Sequence, residues 1–430
     1  MHELSQLIND EMKPAFGVTE PGAIALAAAT ARKNTTGKIK SILVEMNSGM
    51  YKNGFTCGIP NSNEVGNVFA VALGVVAGNP DKGLEVLCDI TLDDNKLAYQ
   101  LINEGKVKVK LSGISSDIYI KAILETEHDT CSVIIKHAHE NIVEIKKNGK
   151  IIFEKEEENK TIEAEGTTNE TTALIHKYTL KEILNFVNTV DYSEIEFIKK
   201  AYEMNMDLFE EGQRNSRTTF SRKLLKMNGD VIFSDNTTKT AVLLCGGAIE
   251  ARVIGLSKAA MSISGSGAHG IIATMPLYAE YKVRKLSEEM LIRATVLSYL
   301  ICIFIKDYSG KLSAFCGCAV AAGTGMSCAL VYMKNGGYDE IVKALNNMAS
   351  SVTGMICDGG NQGCTMKGIV ATKAGYISAE LALLDAYTYN IHGILGTTPE
   401  ETMKNMGLIA SPGMVGTEKT IIDIFKNKLE

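Results

Sequence analysis

The apolar pattern changes period partway along the chain, and that change constrains the architecture more than any other feature. From about residue 37 to 165 apolar and β-branched residues fall in short alternating runs: "KIKSILVEMNS" (38–48), "VKVKLSGIS" (107–115), "SVIIKHAH" (132–139) and "NIVEIKKNGKIIFE" (141–154). A period of two puts alternate side chains on one face of a strand, so these runs predict a half-buried sheet. Asn148-Gly149 between two such runs predicts a type I′ hairpin. A helix over "EVGNVFAVALGVVAG" (64–78) interrupts the sheet. Beyond about residue 170 the spacing becomes three and four, in "TLKEILNFVNTV", "SEIEFIKKAYEMNMDLFEEG", "EEMLIRATVLSYLICIFIKDY", "YDEIVKALNNMASSVTGMI" and "AGYISAELALLDAYTYNI". That spacing is helical.

Residues 3–33 read as two helices, the second with Pro21 in its first turn, where a missing N–H costs nothing. The expected fold is α+β. N-terminal helices (1–36) dock on a large all-helical catalytic domain (169–430), and a smaller α+β domain of sheet and helices (37–168) lies between them in sequence. The charge run "EKEEENK" (154–160) is expected to be a solvated strand end leading to a linker.

A formal net charge of −6 without a basic stripe argues against a nucleic-acid partner. The most apolar run, "ATVLSYLICIFI" (294–305), has twelve residues. A bilayer span takes about twenty, so a buried helix is expected and no membrane partner. The first residues, "MHELSQLINDEMKP", are amphipathic with early acids, unlike a secretory signal, and a cytoplasmic location is expected.

In a reducing compartment the ten cysteines stay as thiols, leaving burial, metal ligation or nucleophilic chemistry as their uses. Burial accounts for Cys88, Cys131, Cys245, Cys302 and Cys328. The segment "SVTGMICDGGNQGCTMKG" (351–368) is different, because Gly359, Gly360 and Gly363 let the backbone between Cys357 and Cys364 fold around a bulky object. Upstream, "AFCGCAVAAG" carries Cys316 and Cys318 at a helix start. On a helix the two point roughly 200° apart, so one faces a site and the other packs. Thiolates hold iron–sulfur clusters, and a cluster with three protein thiolates leaves one iron open. No CxxC zinc spacing is present, and from spacing alone a tight helical core lined with thiols is an equal alternative.

The loop "SISGSGAHGI" (262–271) offers backbone N–H groups and the hydroxyls of Ser264 and Ser266, with Gly267, for a carboxylate or phosphate. It lacks the Gly-Lys-Ser/Thr ending of a P-loop. His269 within it is a candidate general base or carboxylate ligand. Glu20 in "VTEPGA", with Asn47 and Ser48 in "EMNSGM", places polar groups at element boundaries, and all three are carried as substrate-binding candidates. Glu20 serves equally as a helix N-terminal acid. His137 and His139 alternate on an expected strand, where a half-solvated face is the simpler reading than a metal site. Lys367, among small and apolar residues, is the other candidate base if burial lowers its pKa.

Four segments together resemble the L-cysteine desulfidase / iron–sulfur L-serine dehydratase α-chain family: "GVTEPGAIALAAA", "SGSGAHGI", "CGCAVAAGTG" and "CDGGNQGCTMKG". The likeness spans nearly the whole chain. It implies a PLP-independent lyase with a [4Fe-4S] cluster whose open iron acts as Lewis acid in α,β-elimination. L-cysteine would yield pyruvate, ammonia and sulfide, and L-serine pyruvate and ammonia. The resemblance carries the metal ligands onto Cys316 or Cys318, Cys357 and, as the additional thiolate, Cys364. It places the substrate carboxylate on residues 264–270, and a base removes the Cα proton, for which His269 and Lys367 are the candidates read from the residues. The partner it implies is a small amino acid, and a homodimer is an open expectation beside it.

Two positions depart from the family pattern. Val18 stands where Gly-Cys-Thr-Glu-Pro is usual, and Ala268 where the loop usually reads Ser-Gly-Ser-Gly-Asn-His-Gly. Cys57 in "GFTCGIP" is the candidate replacement thiol if it lies near the cluster. The departures also admit an altered relative that binds another small amino acid or hydroxy acid, with the cluster structural or absent.

Overall fold

The computed structural model describes residues 1–155, 173–310 and 312–428. The expected boundary at 168/169 and most of the 154–160 charge run lie outside them. The architecture is α+β, as the two periods require.

Six strands form the main sheet: β2 (Ile39–Asn47), β3 (Val107–Gly113), β4 (Tyr119–Thr126), β5 (Thr130–Lys136), β6 (Ile142–Lys147) and β7 (Lys150–Glu154), in the order β3-β2-β4-β5-β6-β7. β2 and β3 run parallel and the other neighbours antiparallel. Asn148 and Gly149 both have positive φ between β6 and β7, the geometry an I′ turn needs. In β4 and β5 every second residue is buried: Ile120, Ala122 and Leu124, then Cys131, Val133 and Ile135. That face is covered by α2 (Thr19–Lys33), whose alanine-rich surface permits close approach to β4 and β5. The parallel crossover from β2 to β3 passes through α3 (Ser48–Gly54), α4 (Asn67–Ala77) and α5 (Leu92–Asn103). α4 lies within the stretch expected to be helical and packs on α2.

The helical half comprises α6 (Leu180–Thr189), α7 (Lys199–Arg214), α8 (Phe220–Met227), α9 (Thr237–Val253), α10 (Gly267–Arg284) and α11 (Glu288–Ser309). It continues with α12 (Gly323–Met333), α13 (Tyr338–Val352), α14 (Gly363–Leu383), α15 (Pro399–Leu408) and α16 (Val415–Asn427). α9 and α11 are buried on nearly every side, which is why neither shows a polar face in sequence. The apolar run expected to be a buried helix is the middle of α11. Among the described residues no helix is long and apolar enough to cross a membrane.

The N-terminal segment divides between the two halves. α1 (Glu3–Glu11) packs on α11, whereas α2 belongs to the core of the sheet. Between them runs a short strand absent from the sequence reading, β1 (Lys13–Phe16), paired antiparallel with β8 (Ala259–Ser262). The C-terminal helix also crosses over: α16 packs on α3, with Phe425 stacked on Phe55 at 4.5 Å.

Candidate functional site

The two halves enclose a cavity of about 620 Å³. Of the site residues expected from sequence, Glu20, Ser264, Ser266, His269, Cys318 and Cys357 line it. Cys316, Cys364, Gly267 and Lys367 are not part of its lining, and neither are Asn47 and Ser48. The Asn47 amide donates to Ser115 O at 2.8 Å and its oxygen accepts from Tyr119 N, while Ser48 Oγ accepts from Ser115 N. Both residues tie the end of β2 to the β3–β4 connection, so their polar atoms are spent on the sheet.

Backbone pairing brings the two cysteine motifs side by side. Phe315 and Ile356 form an antiparallel bridge, Cys316 N donates to Met355 O at 2.9 Å, and Cys357 N donates to Ala314 O at 2.6 Å. Cys318 opens a single π turn, Cys318–Ala322, that leads into α12, and its sulfur faces the cavity 3.9 Å from Ser266 Oγ. Such irregular turns are frequent at functional sites. Cys316 is buried against Ala319 and Ala371. Cys364 sits in the first turn of α14 and its thiol donates to Gly359 O at 3.3 Å.

The electrostatics tie the four sulfurs together. Contact with the Cys318 thiol and then burial push Cys316 well above the usual thiol pKa. Burial, then the neighbouring Cys357, pushes Cys364 up to about 12. Burial likewise raises Cys357, against the Lys52 charge that lowers it. The chain alone therefore holds Cys316, Cys357 and Cys364 as thiols, and a metal would displace their protons. Among the described residues no three His, Cys, Asp or Glu side chains surround a single metal ion.

Lys367 reverses its expectation. Burial lowers its pKa, but the ion pair with Asp358 and the nearby thiols outweigh burial and raise it. It is a fixed cation beside the sulfurs. A second cation, Lys52, is 1% exposed and donates to Ser313 O, Cys357 O and Glu418 Oε2 at 2.9, 3.0 and 2.8 Å.

The loop after β8 has Ser264 at φ 48° and leads into α10, whose first turn carries His269. His269 Nδ1 lies 3.2 Å from Ile263 O, an acceptor, so the ring proton is on Nδ1 and Nε2 is bare. Nε2 faces Gly317, where an added Cβ would stand 2.8 Å away. Burial, then the Lys306 charge, lowers the His269 pKa to about 3. The imidazole is neutral at physiological pH.

Val18 and Ala268 are both buried, at 3% and 2% exposure. A Cβ on Gly360 would meet Val18 Cγ1 at 2.8 Å, so Val18 packs directly on the loop between Cys357 and Cys364. Cys57 is fully buried, donates to Gly54 O, and has its pKa raised by burial and then by Glu20 and, more weakly, Cys364.

Three groups that the sequence did not assign to the site belong to it. β5 ends at Lys136, and His137, at φ 65°, begins a turn, so His137 and His139 do not share a strand face. Both line the cavity, His137 with its Nδ1 2.6 Å from Asp117 Oδ2. The third is Arg252 on α9, 4% exposed, whose buried Nε has no hydrogen-bond partner and sits against Gly267. Buried arginine is too uncommon for composition or period to reveal.

Residues 81–423 match the family model described as serine dehydratase alpha chain. A UPF0597 protein of Clostridium botulinum (strain Langeland / NCTC 10281 / Type F) is 40% identical over 421 residues, 97% of each chain. A UPF0597 protein of Caldanaerobacter subterraneus is 35% identical over 425 residues, 99% of this chain and 98% of that one. One of Elusimicrobium minutum is 32% identical over 431 residues, the whole of both chains.

Proposed function

Because the chain belongs to the serine dehydratase alpha chain family, we propose that it is a lyase catalysing α,β-elimination from L-serine or L-cysteine with a thiolate-held [4Fe-4S] cluster. The observation that carries this reading is the grouping of Cys316, Cys318, Cys357 and Cys364, of which Cys318 and Cys357 line a cavity that also bears the 264–266 hydroxyls. The donor set fits a polynuclear cluster better than one ion: thiolates bound to separate irons need not converge on a single point. Lys52 and Lys367 offset the negative charge such a centre gathers. Cys357, Cys364 and one of Cys316 and Cys318 would hold it. When bound, a cluster with one iron free of protein ligands supplies a Lewis acid for the substrate's β-substituent.

The remaining steps fall to the chain's own groups. Ser264, Ser266 and the N–H groups at the start of α10 hold the substrate carboxylate, aided by the positive end of the helix. Fixing that end orients the Cα–H bond for removal. Of the two bases expected from sequence, His269 is neutral with an open Nε2, whereas Lys367 stays protonated. Loss of the Cα proton and of the β-hydroxyl or β-thiol leaves aminoacrylate. Its imine tautomer hydrolyses to pyruvate and ammonia. Ten unpaired thiols fit a reducing cytoplasm.

The altered-relative reading draws on Val18, which fills with methyl groups the position beside Gly360 where the family's usual thiol would stand. One preparation separates the two. Anaerobically purified protein should contain iron and release pyruvate from L-serine or L-cysteine, and Cys357→Ala should lose the iron while keeping its helical circular dichroism. Unchanged iron in Cys357→Ala would refute the cluster assignment. Full iron without pyruvate from either amino acid would favour the altered relative.

A further inference from the structure

We propose that Glu20 and His139 together receive the substrate's α-ammonium group, and so make the site select α-amino acids over α-hydroxy acids. This rests on the amino-acid reading above and adds the residues that enforce it.

Glu20 opens α2 and His139 lies on the turn between β5 and β6, so the receptor joins segments more than a hundred residues apart. Both line the cavity. His139 Nε2 is buried without a hydrogen-bond partner and lies 3.8 Å from Glu20 Oε1. That gap is too long for a direct hydrogen bond and suits a donor shared by both atoms. Glu20 is otherwise fixed: Oε1 accepts from Asn53 Nδ2 at 2.8 Å and Oε2 from Thr19 Oγ1 at 3.2 Å. A carboxylate oxygen has two lone pairs, so capacity remains on each. Burial would raise the Glu20 pKa, but His139, Asn53 and Arg252 outweigh it and hold it at about 2. The pole is therefore anionic.

The turn is held stiffly enough to act as a receptor. Glu140 Oε1 accepts from Leu84 N at 3.1 Å, Asn141 Nδ2 donates to Lys136 O at 2.9 Å, and Ala138 N donates to the same carbonyl at 2.8 Å. The pole for the opposite charge is separate. Lys13 pairs with Ser262 and Phe16 with Ala259, so the 263–266 loop and the entry to α2 leave the β1–β8 ribbon at opposite ends. Ser264 Oγ in that loop is buried without a hydrogen-bond partner, and Arg252 lies behind it against Gly267.

An ammonium brings three donors and a positive charge, matching the Glu20 carboxylate and, in the form of His139 whose Nε2 carries no proton, a second acceptor. A hydroxyl brings one donor and no charge, so it makes one hydrogen bond where the ammonium makes up to three and gains nothing from the Glu20 charge. Sites built to hydrogen-bond a substrate group reject analogues lacking it far more strongly than apolar pockets reject a methylene.

Calorimetric binding to the anaerobic, iron-loaded protein tests this with three probes: L-serine, its hydroxy isostere L-glycerate, and 3-hydroxypropionate, which has no α-substituent. Wild type should bind L-serine about a hundredfold more tightly than L-glycerate. Glu20→Gln and His139→Ala should each weaken L-serine about tenfold and leave 3-hydroxypropionate within about twofold. His139 is on a turn, so its variant keeps the test open if Glu20→Gln fails to fold. Equal binding of L-serine and L-glycerate, or equal weakening of L-serine and 3-hydroxypropionate, would overturn the proposal. L-serine bound with this selectivity, with neither L-serine nor L-cysteine converted to pyruvate, would uphold the receptor and refute the elimination chemistry. Pyruvate formed from L-serine with no preference over L-glycerate in binding would do the reverse.

Discussion

Val18 and Ala268 are the two residues at which this chain departs from the pattern it otherwise follows, and both are buried beside the groups they would affect. Val18 touches Gly360 in the cysteine loop, and Ala268 precedes His269 in the first turn of α10. If the missing thiol and amide limit the chemistry, wild type should release little sulfide from L-cysteine, and Val18→Cys with Ala268→Asn should raise the rate. Val18→Cys changes volume little and keeps the contact with Gly360. Ala268→Asn enlarges a buried side chain and should cost about 1–3 kcal/mol, so the melting temperature of each variant belongs with the sulfide, pyruvate and iron measurements. Full sulfide release by wild type would show both departures to be neutral.

At the scale of elements, the cysteine loop keeps its shape because two segments press on one glycine. A Cβ on Gly360 would lie 2.8 Å from Val18 Cγ1 and 3.0 Å from Asn53 O. Gly360→Ala should therefore destabilise by about 1–3 kcal/mol through overpacking. Part of that clash is with a side chain and part with backbone, so adding Val18→Ala should recover some of the loss but not all. Thermal unfolding of the two single variants and the double variant measures the coupling. Strict additivity would mean that Val18 and the loop do not press on each other. The β1–β8 ribbon is the other element that shapes the site. Four residues long on each side, it is too short to announce itself by alternation, yet it sets where the 263–266 loop begins.

Across the whole molecule, the C-terminal helix is tied to the cysteine site by a buried ion pair. Lys52 and Glu418 have side chains 0% and 6% exposed and meet at 2.8 Å, with Lys52 also holding Cys357 O and Ser313 O. Lys52→Met should cost about 3–5 kcal/mol, because it strands a buried carboxylate. Lys52→Met with Glu418→Leu should cost much less, since the stranded charge is gone; denaturant midpoints of the three variants compare them. A double variant no more stable than Lys52→Met would show that the hydrogen bonds to Ser313 and Cys357, not the charge pair, carry the tie. Much of the architecture was readable from local pattern. A period of two gave β2, β3, β5, β6 and β7 but left β4 unread, a period of three to four gave the helical half, and Asn148-Gly149 gave its hairpin, because these depend on neighbours a few residues away. Residue type and glycine content likewise marked both cysteine motifs and the serine–glycine loop. The packing of the chain decided the rest. That Phe315 pairs with Ile356, that His139 meets Glu20, and that Asn47 and Ser48 serve the sheet are facts about residues far apart in sequence. So is the sign of the Lys367 shift, which turns on whether burial or the facing Asp358 and thiols dominate. Desolvation and the pairing of charges are properties of the surroundings a side chain acquires on folding, and no local period encodes them.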